Sequence, residues 1–339
     1  MILDRRFVSE RPATPRSSQR RKGLGVSEER RGALVLAYGH RRYHRQAMTL
    51  ALSLDRQSPG LHRTLVTDNP SCKAARLYHR VIALAVGGGD DCQLKLSLDQ
   101  FSPYEWALYL DADALVVRPL EPLFDLFSDA EIGVIGRQIT DGRWYGDVAA
   151  MRMLAGSDSV PKFNSGLMSI PSTPETRSVF ARARELTGEY AQLGLDTFRG
   201  GIADEPLLSI ALAEHGIRAR DLTAAAAATP IGINGPLRLD VLDGRCSFLK
   251  HGELVEPRVI HFAADYSSDY RLSGAHYRRE RCKLLLSERW GLSDRVAAAA
   301  AHFRCGLQCL LVNLWIKAVG RAPRDPLGFA EPSEKAPRE

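Results

Sequence analysis

Residues 106–117 read WALYLDADALVV, an apolar stretch interrupted by Asp111 and Asp113. Its first part has the length and apolar content of a buried strand, and the apolar run resumes at residues 115–117. Side chains two positions apart on an extended backbone project to the same side, so both carboxylates can meet one cation. Two carboxylates this close repel each other unless a positive charge lies between them. A polar loop that ends a strand has the same spacing, so spacing alone does not distinguish the two interpretations.

Upstream of this stretch, strand and helix patterns alternate. Short apolar runs at residues 33–37, 64–67 and 81–86 predict strands, the last closed by the glycines at 87–89. Apolar positions repeat at helical spacing between the first two strands, at Ala47, Leu50, Ala51 and Leu54. Residues 93–101 predict a short helix. Strand, helix, strand is the opening of an α/β domain with a mostly parallel sheet.

Downstream, residues 132–135, 167–170 and 259–262 predict further strands, and His261 lies on the last of them. Thr173 and Pro174 form an N-cap and first-turn pair that predicts a helix. A second helix is predicted over residues 206–215, directly after Asp204 and Glu205.

The C-terminal stretch 296–319 predicts a helix with one apolar face, formed by Phe303, Leu307, Leu310, Leu311, Leu314 and Ala318. Its uncharged run covers residues 305–316, which is shorter than the roughly 20 residues that a bilayer requires. We expect this helix to pack on its own domain, with a membrane-surface or dimer contact as the alternatives. Residues 321–339 are expected to form a disordered tail.

The composition is that of a globular protein, with 45% hydrophobic and 25% charged residues among 339, which excludes collagen-like, coiled-coil and wholly disordered chains. Residues 1–31 carry nine Lys/Arg and four Asp/Glu, so most of the net charge of +6 lies in this segment. A nucleic-acid-binding protein would spread basic residues over a folded face, so we expect a disordered basic arm and no nucleic-acid partner. The arm lacks the apolar run of a secretory signal, and the six scattered cysteines form no CxxC pair, which predicts a cytoplasmic protein with reduced thiols.

Five ordered motifs across residues 33–265 resemble the nucleotide-sugar glycosyltransferases of the GT-A fold, most closely the glycogenin-like family 8. The segment 109–117 with 119–124 (PLEPLF) is similar to the family's metal-binding DxD segment. Similar in turn are residues 163–168 (FNSGLM), 204–208 (DEPLL) and 260–262 (IHF), together with the first strand and helix. The resemblance implies a Rossmann-like GT-A domain over residues 32–275, followed by a C-terminal helical extension over residues 276–320.

The resemblance also implies a metal site. Asp111, Asp113 and His261 would hold one divalent ion, and this mixed oxygen and nitrogen set suits Mn²⁺ or Mg²⁺ better than zinc. Such an ion would act as a Lewis acid on the departing diphosphate of a nucleotide sugar. A histidine that merely closes a core strand is the alternative for His261.

Donor-binding residues are implied in the same way. The backbone at Ala37 and Gly39 would hold the nucleotide base, with the Tyr43 ring against it. Lys95 would lie near the donor, since it precedes Asp111 by the family's spacing of 16 residues. Asn164 would bind hydroxyls of the donor sugar. Tyr43 has a helix-packing role as its alternative.

Asp204 and Glu205 are the candidate catalytic residues. Asp204 would bind the donor sugar. Glutamine is usual in the family where this chain has Glu205, and a carboxylate there can stabilise an oxocarbenium-like centre or attack it. Capping of the following helix is the alternative role for Glu205.

After His261 the sequence differs from the family pattern a second time, the first difference being Glu205. The family normally has a Gly, Lys, Pro, Trp run here, whose lysine grips the donor phosphates, and this chain has AADYSSDY at residues 263–270. Arg271 is the candidate replacement for this lysine.

Residues 141–147, with Arg143, Trp144 and Tyr145, are a candidate acceptor lid, and a packed loop is the alternative.

The sequence therefore predicts a metal-dependent enzyme that transfers a hexose from a nucleotide sugar, a UDP-sugar, to an acceptor hydroxyl with retention of configuration. Two other classes stay open. One is a phosphohydrolase of the haloacid dehalogenase type, which also has Asp-x-Asp after a strand but usually has Thr or Val where this chain has Leu115. The other is a non-catalytic GT-A protein, which the missing lysine favours.

Overall fold

The computed structural model describes residues 8–10, 30–85, 91–128, 132–198, 200–287 and 292–321. Its strands are β1 (Val8–Glu10), β2 (Arg31–Ala37), β3 (His62–Thr67), β4 (Arg80–Ala83), β5 (Trp106–Asp111), β6 (Ala114–Val116), β7 (Gly133–Ile139), β8 (Val160–Pro171), β9 (Ala227–Ala228), β10 (Arg238–Asp240), β11 (Arg245–Lys250), β12 (Glu253–Val255) and β13 (Val259–His261). Its α-helices are α1 (Arg41–Gln57), α2 (Asp91–Lys95), α3 (Leu98–Phe101), α4 (Glu121–Leu126), α5 (Val148–Ala155), α6 (Pro174–Leu186), α7 (Asp204–Glu214), α8 (Ala275–Ser287) and α9 (Leu292–Val319).

A seven-stranded sheet organises the domain, in the order β1-β4-β3-β2-β5-β8-β7. The four neighbouring strands β4, β3, β2 and β5 run parallel, and β1 and β8 pair antiparallel with the outer two of them. The edge strand β7 pairs antiparallel with β8 and so runs in the direction of the central four. Parallel strands joined by helices are buried on both faces, which explains the unbroken apolar runs in the sequence. The predicted α/β architecture is confirmed.

Alternate residues of β2 enter two different cores. Leu34 and Leu36 pack with residues of α6 and α7 on one face of the sheet, and Val35 and Ala37 pack with residues of α1 on the other. The two-residue period of a strand produces this division.

Two small sheets complete the domain. One has the order β6-β13-β9 and the other β10-β11-β12. A third core lies between these sheets and the C-terminal helices, where Phe262 meets Tyr277 of α8 and Val312 of α9. The predicted C-terminal helical extension is present as α8 and α9.

Several elements differ from the sequence-based predictions. The helix predicted over residues 93–101 is two short helices, α2 and α3, separated by a turn. The helix α7 begins at Asp204, two residues earlier than predicted, because acidic side chains suit the positive end of a helix. The small strands between residues 227 and 255 were not predicted.

Part of the segment expected to be disordered is ordered. Within residues 1–31, Val8–Glu10 pairs with β4 and Arg31 begins β2. A strand that adds to a sheet edge needs only backbone hydrogen bonds, so the polar composition of the arm gives no sign of it. Residues 1–7 and 11–29, the glycines at 87–89 and the tail from residue 322 lie outside the described residues.

None of the described helices has the length and hydropathy needed to cross a bilayer. The five cysteines whose side chains are described form no disulfide, namely Cys72, Cys246, Cys282, Cys305 and Cys309.

Candidate active site

Asp111 and Asp113 lie where the chain passes from one sheet to another. Asp111 is the last residue of β5, and a turn through Ala112 and Asp113 leads into β6. The two-residue spacing suggested that both side chains lie on one continuous strand, but a turn separates them. The turn nevertheless leaves both carboxylates partly buried on the same side, next to His261.

The strand β13 brings His261 to this pair. It runs antiparallel to β6 with His261 opposite Ala114, and the Phe262 amide donates to the Asp113 carbonyl at 3.1 Å. The His261 Nε2 atom lies 2.9 Å from Asp113 Oδ1 and 3.3 Å from Asp111 Oδ2. One ligand atom from each of the three residues lies within 4.8 Å of the others. The structure thus brings together the three side chains that the sequence singled out.

Asn164 fixes the orientation of the His261 ring. Its Oδ1 atom accepts the Gly166 amide at 3.2 Å and lies 2.6 Å from His261 Nδ1. Because an acceptor oxygen faces Nδ1, we assign the proton of the neutral ring to Nδ1, which leaves the Nε2 lone pair directed at the carboxylates. Ligating histidines are commonly held in this way by a second hydrogen bond.

Gly166 is required beside this ring. A Cβ atom at that position would lie 2.1 Å from His261 Nδ1, far inside van der Waals contact. The glycine of the FNSG segment therefore has a steric function, since only a residue without a side chain lets the imidazole reach the two aspartates.

The charges in the site depend on one another. Burial disfavours the imidazolium of His261, but the neighbouring Asp113 and Asp111 outweigh it and raise its pKa. Burial would raise the pKa of Asp111, but Lys95 and His261 lower it below its ordinary value. Asp111 therefore lies between two basic side chains, Lys95 and His261. A divalent ion bound at Nε2 would take the place of the imidazolium proton and supply the positive charge instead.

Lys95 joins the aspartate pair to the next part of the site. Its Nζ atom donates to Asp111 Oδ2 at 2.8 Å and to Ser165 Oγ at 3.2 Å, and it lies 3.9 Å from Asp204 Oδ2. Burial would lower the pKa of this lysine, yet Asp111 and Asp204 raise it well above its usual value. Within the described parts of the chain, the buried Asp204 Oδ2 atom has no hydrogen-bond partner. A buried acceptor without a partner can accept a hydrogen bond from a ligand hydroxyl.

Glu205 does not cap its own helix. Its Oε1 atom accepts the Ser165 amide at 2.9 Å and the Asn164 Nδ2 at 3.2 Å, so both bonds come from β8. Burial first, and repulsion from Asp204 second, raise its pKa to about 7. The Tyr145 hydroxyl also hydrogen-bonds this carboxylate. A carboxyl group with a pKa near neutrality is suited to catalysis, and the helix-capping alternative is not what the structure shows.

The residues expected to hold the base lie at the same edge of the sheet. Leu36 of β2 is in register with Asp111 of β5, so Ala37 and Gly39 follow at the carboxyl end of the adjacent strand. Ligands of open α/β sheets bind at this edge. Gly39 has a positive φ of 78°, no atom lies within 4 Å of where its Cβ would be, and its amide donates to Asp68 Oδ2 at 3.1 Å.

Tyr43 is only partly buried and packs against the core beneath α1. Arg42 covers its ring, with the guanidinium carbon 4.8 Å from the ring centroid, and donates to its hydroxyl at 2.9 Å. The ring therefore has packing contacts, as the alternative interpretation held, and a ligand would have to share it with Arg42.

The segment that replaces the expected lysine run makes its own contact with the site. Ser267 donates to Asp113 Oδ2 at 3.2 Å. The candidate replacement, Arg271, pairs with Asp265 at 3.1 Å. The Ser267 hydroxyl thus orients Asp113, while Arg271 forms an ion pair with Asp265.

Sequence reasoning gave no role to four residues of the site and missed one contact of a fifth. The Tyr109 hydroxyl donates to Asp111 Oδ1 at 2.5 Å. The Asp68 carboxylate accepts the Gly39 amide and lies 2.9 Å from His44 Nε2. Ser165, Ser267 and the contact of Tyr145 with Glu205 were also not predicted. Tyr109 carried a usable signal, since it lies two residues before Asp111 on the same face of β5. The others depend on contacts between distant segments.

Neither the protein-family models nor the curated proteins contain a match to this chain. Among solved structures, the fold is similar to the galactosyltransferase LgtC in complex with donor and acceptor sugar analogues. The two share 16% identity with a TM-score of 0.52, over 78% of this chain and 99% of that one. An active-site glutamine-to-glutamate variant of LgtC gives 17% identity and a TM-score of 0.50 over the same shares. The chain therefore has the GT-A glycosyltransferase fold.

Proposed function

We propose that this protein is a metal-dependent glycosyltransferase that moves a hexose from a nucleotide sugar, a UDP-sugar, to an acceptor hydroxyl. The convergence of Asp111, Asp113 and His261 at the carboxyl edge of the sheet carries this proposal. The GT-A fold supports it, and so do the donor and acceptor analogues bound to LgtC. The same fold gives no support to the haloacid dehalogenase alternative.

The residues present fit a divalent ion. Two carboxylates and an imidazole with its Nε2 lone pair directed at them form a donor set that suits Mn²⁺ or Mg²⁺. When bound, such an ion supplies Lewis acidity to the diphosphate leaving group. Asp111, Asp113 and His261 would hold it, and Asn164 and Ser267 would orient two of these ligands.

The remaining residues would act on the sugar. Asp204, whose buried Oδ2 atom has no hydrogen-bond partner among the described residues, would accept a hydrogen bond from a hydroxyl of the donor, with the Lys95 ammonium 3.9 Å from that oxygen. Glu205 is held by β8 with its carboxylate ionised in part at neutral pH. It would stabilise positive charge at the anomeric carbon or attack it, and either role is compatible with retention of configuration.

Donor turnover tests the proposal. Release of UDP from UDP-hexoses with Mn²⁺ would be measured for the wild type, for Asp113→Ala and for Asp243→Ala, a control that removes an exposed carboxylate between β10 and β11. We expect Asp113→Ala, or excess chelator, to reduce turnover at least about a hundredfold, because the metal supplies several kcal/mol to charge stabilisation. Full activity in either case would refute the site.

Two further measurements separate the alternatives. Near-normal transfer by Glu205→Gln would exclude a covalent role for this residue. Nucleotide binding without any donor turnover by the wild type would instead favour a non-catalytic binding protein, which the missing lysine run also favours.

A further inference from the structure

The helix α9 has two apolar faces. One face packs against the rest of the protein through Ala298, Cys305, Cys309, Val312 and Ile316, all of which are buried. These positions recur at three, four or seven residues, so they form one side of the helix.

The opposite face is exposed and equally apolar. Phe303 is 73% exposed, and Leu307, Leu310, Leu311 and Leu314 are each more than half exposed. Val296, Trp315 and Val319 extend the same surface. No element in the described parts of the chain covers it. A contiguous apolar surface of this size on a helix marks a binding surface.

Basic residues flank this exposed face, and acidic residues are absent from it. With about 100° between successive residues of a helix, Arg304 and Lys317 fall on opposite sides of the line through Leu307 and Leu314. Both basic residues are exposed, and the sequence from residue 295 to residue 321 contains four Lys/Arg and no Asp/Glu. One basic residue therefore lies on each side of the apolar line through Leu307 and Leu314.

We infer that this face of α9 docks the protein on an anionic lipid surface. A helix that lies in the plane of a membrane interface buries its apolar face in the acyl boundary and extends lysine and arginine to the headgroups. Trp315, near the C-terminal end of the face, has the side chain that interfaces favour. A second copy of the chain is a poorer partner, because its own α9 face carries the same flanking basic residues and no carboxylate to meet them.

Vesicle co-sedimentation of the full chain tests this inference. The lipids are phosphatidylcholine alone and phosphatidylcholine with about 30% phosphatidylglycerol, at low salt. We expect at least tenfold stronger binding to the anionic vesicles. Removing the two flanking charges in Arg304→Gln/Lys317→Gln should weaken that binding by about fivefold per charge.

The apolar face is tested with its charges kept. Leu307→Gln/Leu314→Gln should weaken binding to anionic vesicles at least tenfold. Met153→Gln/Leu254→Gln is the matched control, since these side chains are 79% and 61% exposed away from α9, and it should bind as the wild type does. Circular dichroism of each variant checks that α9 remains folded.

Three results would overturn the inference. The first is equal binding of the wild type to both vesicle types. The second is undiminished binding by Leu307→Gln/Leu314→Gln, which would assign lipid binding to another basic segment such as residues 1–31. The third is a lipid-free dimer in sedimentation velocity that this variant dissociates, which would show that a second copy occupies the face.

Discussion

At the scale of single residues, the site depends on a chain of hydrogen bonds that begins at β8. The Asn164 side chain contacts both His261 and Glu205, so one amide orients the candidate metal ligand and the candidate catalytic carboxylate together. Its Oδ1 faces the imidazole and its Nδ2 faces the carboxylate, and an amide can satisfy both only in this orientation. The FNSG segment therefore couples the two halves of the site.

Gly166→Ala tests the close approach of the imidazole. The added methyl would lie 2.1 Å from His261 Nδ1, so the ring must leave its position beside Asp111 and Asp113. We expect a loss of Mn²⁺ affinity, measured by Mn²⁺ titration, and a stability loss of about 1 to 3 kcal/mol from overpacking. Gly188→Ala, where no atom lies within 4 Å of the new Cβ, is the control and should retain both. Unchanged Mn²⁺ affinity in Gly166→Ala would contradict this account of the glycine.

Glu205→Gln tests the environment of the catalytic carboxylate. Its pKa is raised from 4.5 to about 7 in the folded chain, so ionisation between these pH values costs folded-state stability. The wild type should therefore lose stability relative to Glu205→Gln as the pH rises from 5 to 8, by an amount on the order of 2 kcal/mol. Thermal unfolding of both proteins in chelator measures the difference, and parallel pH curves would contradict the prediction.

The identities of these residues were largely predictable, but their partners were not. Asp111, Asp113 and His261 are found from an acidic pair after a strand and a histidine on another strand. The proton position on His261 depends on Asn164, 97 residues away, and the pKa of Glu205 depends on burial beneath β8. Neither dependence follows from spacing along the chain.

At the scale of elements, the small sheet β6-β13-β9 is what assembles the site. It receives the chain directly after β5 and returns it beside Asp113 through β13. The long apolar strands of the large sheet were predictable from their composition. The strands from β9 to β12 have two to six residues each and mixed polarity, so no periodicity identifies them.

The loop over residues 141–147 joins the candidate acceptor side to Glu205. Tyr145 has a φ of 54°, a costly conformation for an aromatic residue, and the Asp196 amide donates to its carbonyl at 2.6 Å. Arg143 forms an ion pair with the Asp196 side chain at 2.6 Å. The loop is therefore held to Asp196 by two contacts, one through its backbone and one through its side chain. The packed-loop interpretation therefore holds for its backbone, while the Tyr145 hydroxyl reaches the site.

Tyr145→Phe tests this contact. Removal of the hydroxyl should cost about 1 kcal/mol of stability and reduce donor turnover, because the ionised form of Glu205 loses a hydrogen-bond donor. For the same reason the acid limb of the pH–rate profile should move to higher pH. Tyr270→Phe, at a position 93% exposed, is the control. An unchanged pH profile in Tyr145→Phe would mean that the phenol does not act on Glu205.

At the scale of the whole molecule, the alternation of strands and helices was enough to predict an α/β domain, and five ordered motifs were enough to suggest its GT-A fold. The addition of β1 to the sheet edge was not predictable, since backbone pairing leaves little trace in composition. The sequence predicts that one apolar face of α9 packs on the domain, and this prediction is wrong: the predicted face is exposed and the opposite face is buried. The structure has two apolar faces on this helix, and residues at helical spacing alone do not say which of them is covered.

Binding of donor and metal should stabilise the whole chain, because the site draws on β2, β5, β8, β13 and α7, which meet only in the folded state. A ligand at 100 times its dissociation constant adds about 2.7 kcal/mol of stability, which raises the melting temperature of a domain this large by about 4 to 5 °C. We expect UDP-sugars to give such a shift with Mn²⁺ and a much smaller one in chelator. Asp113→Ala should lose the Mn²⁺-dependent part, whereas Asp243→Ala should keep it. A shift of equal size with Mn²⁺ and with chelator would show that the nucleotide binds independently of the three converging ligands.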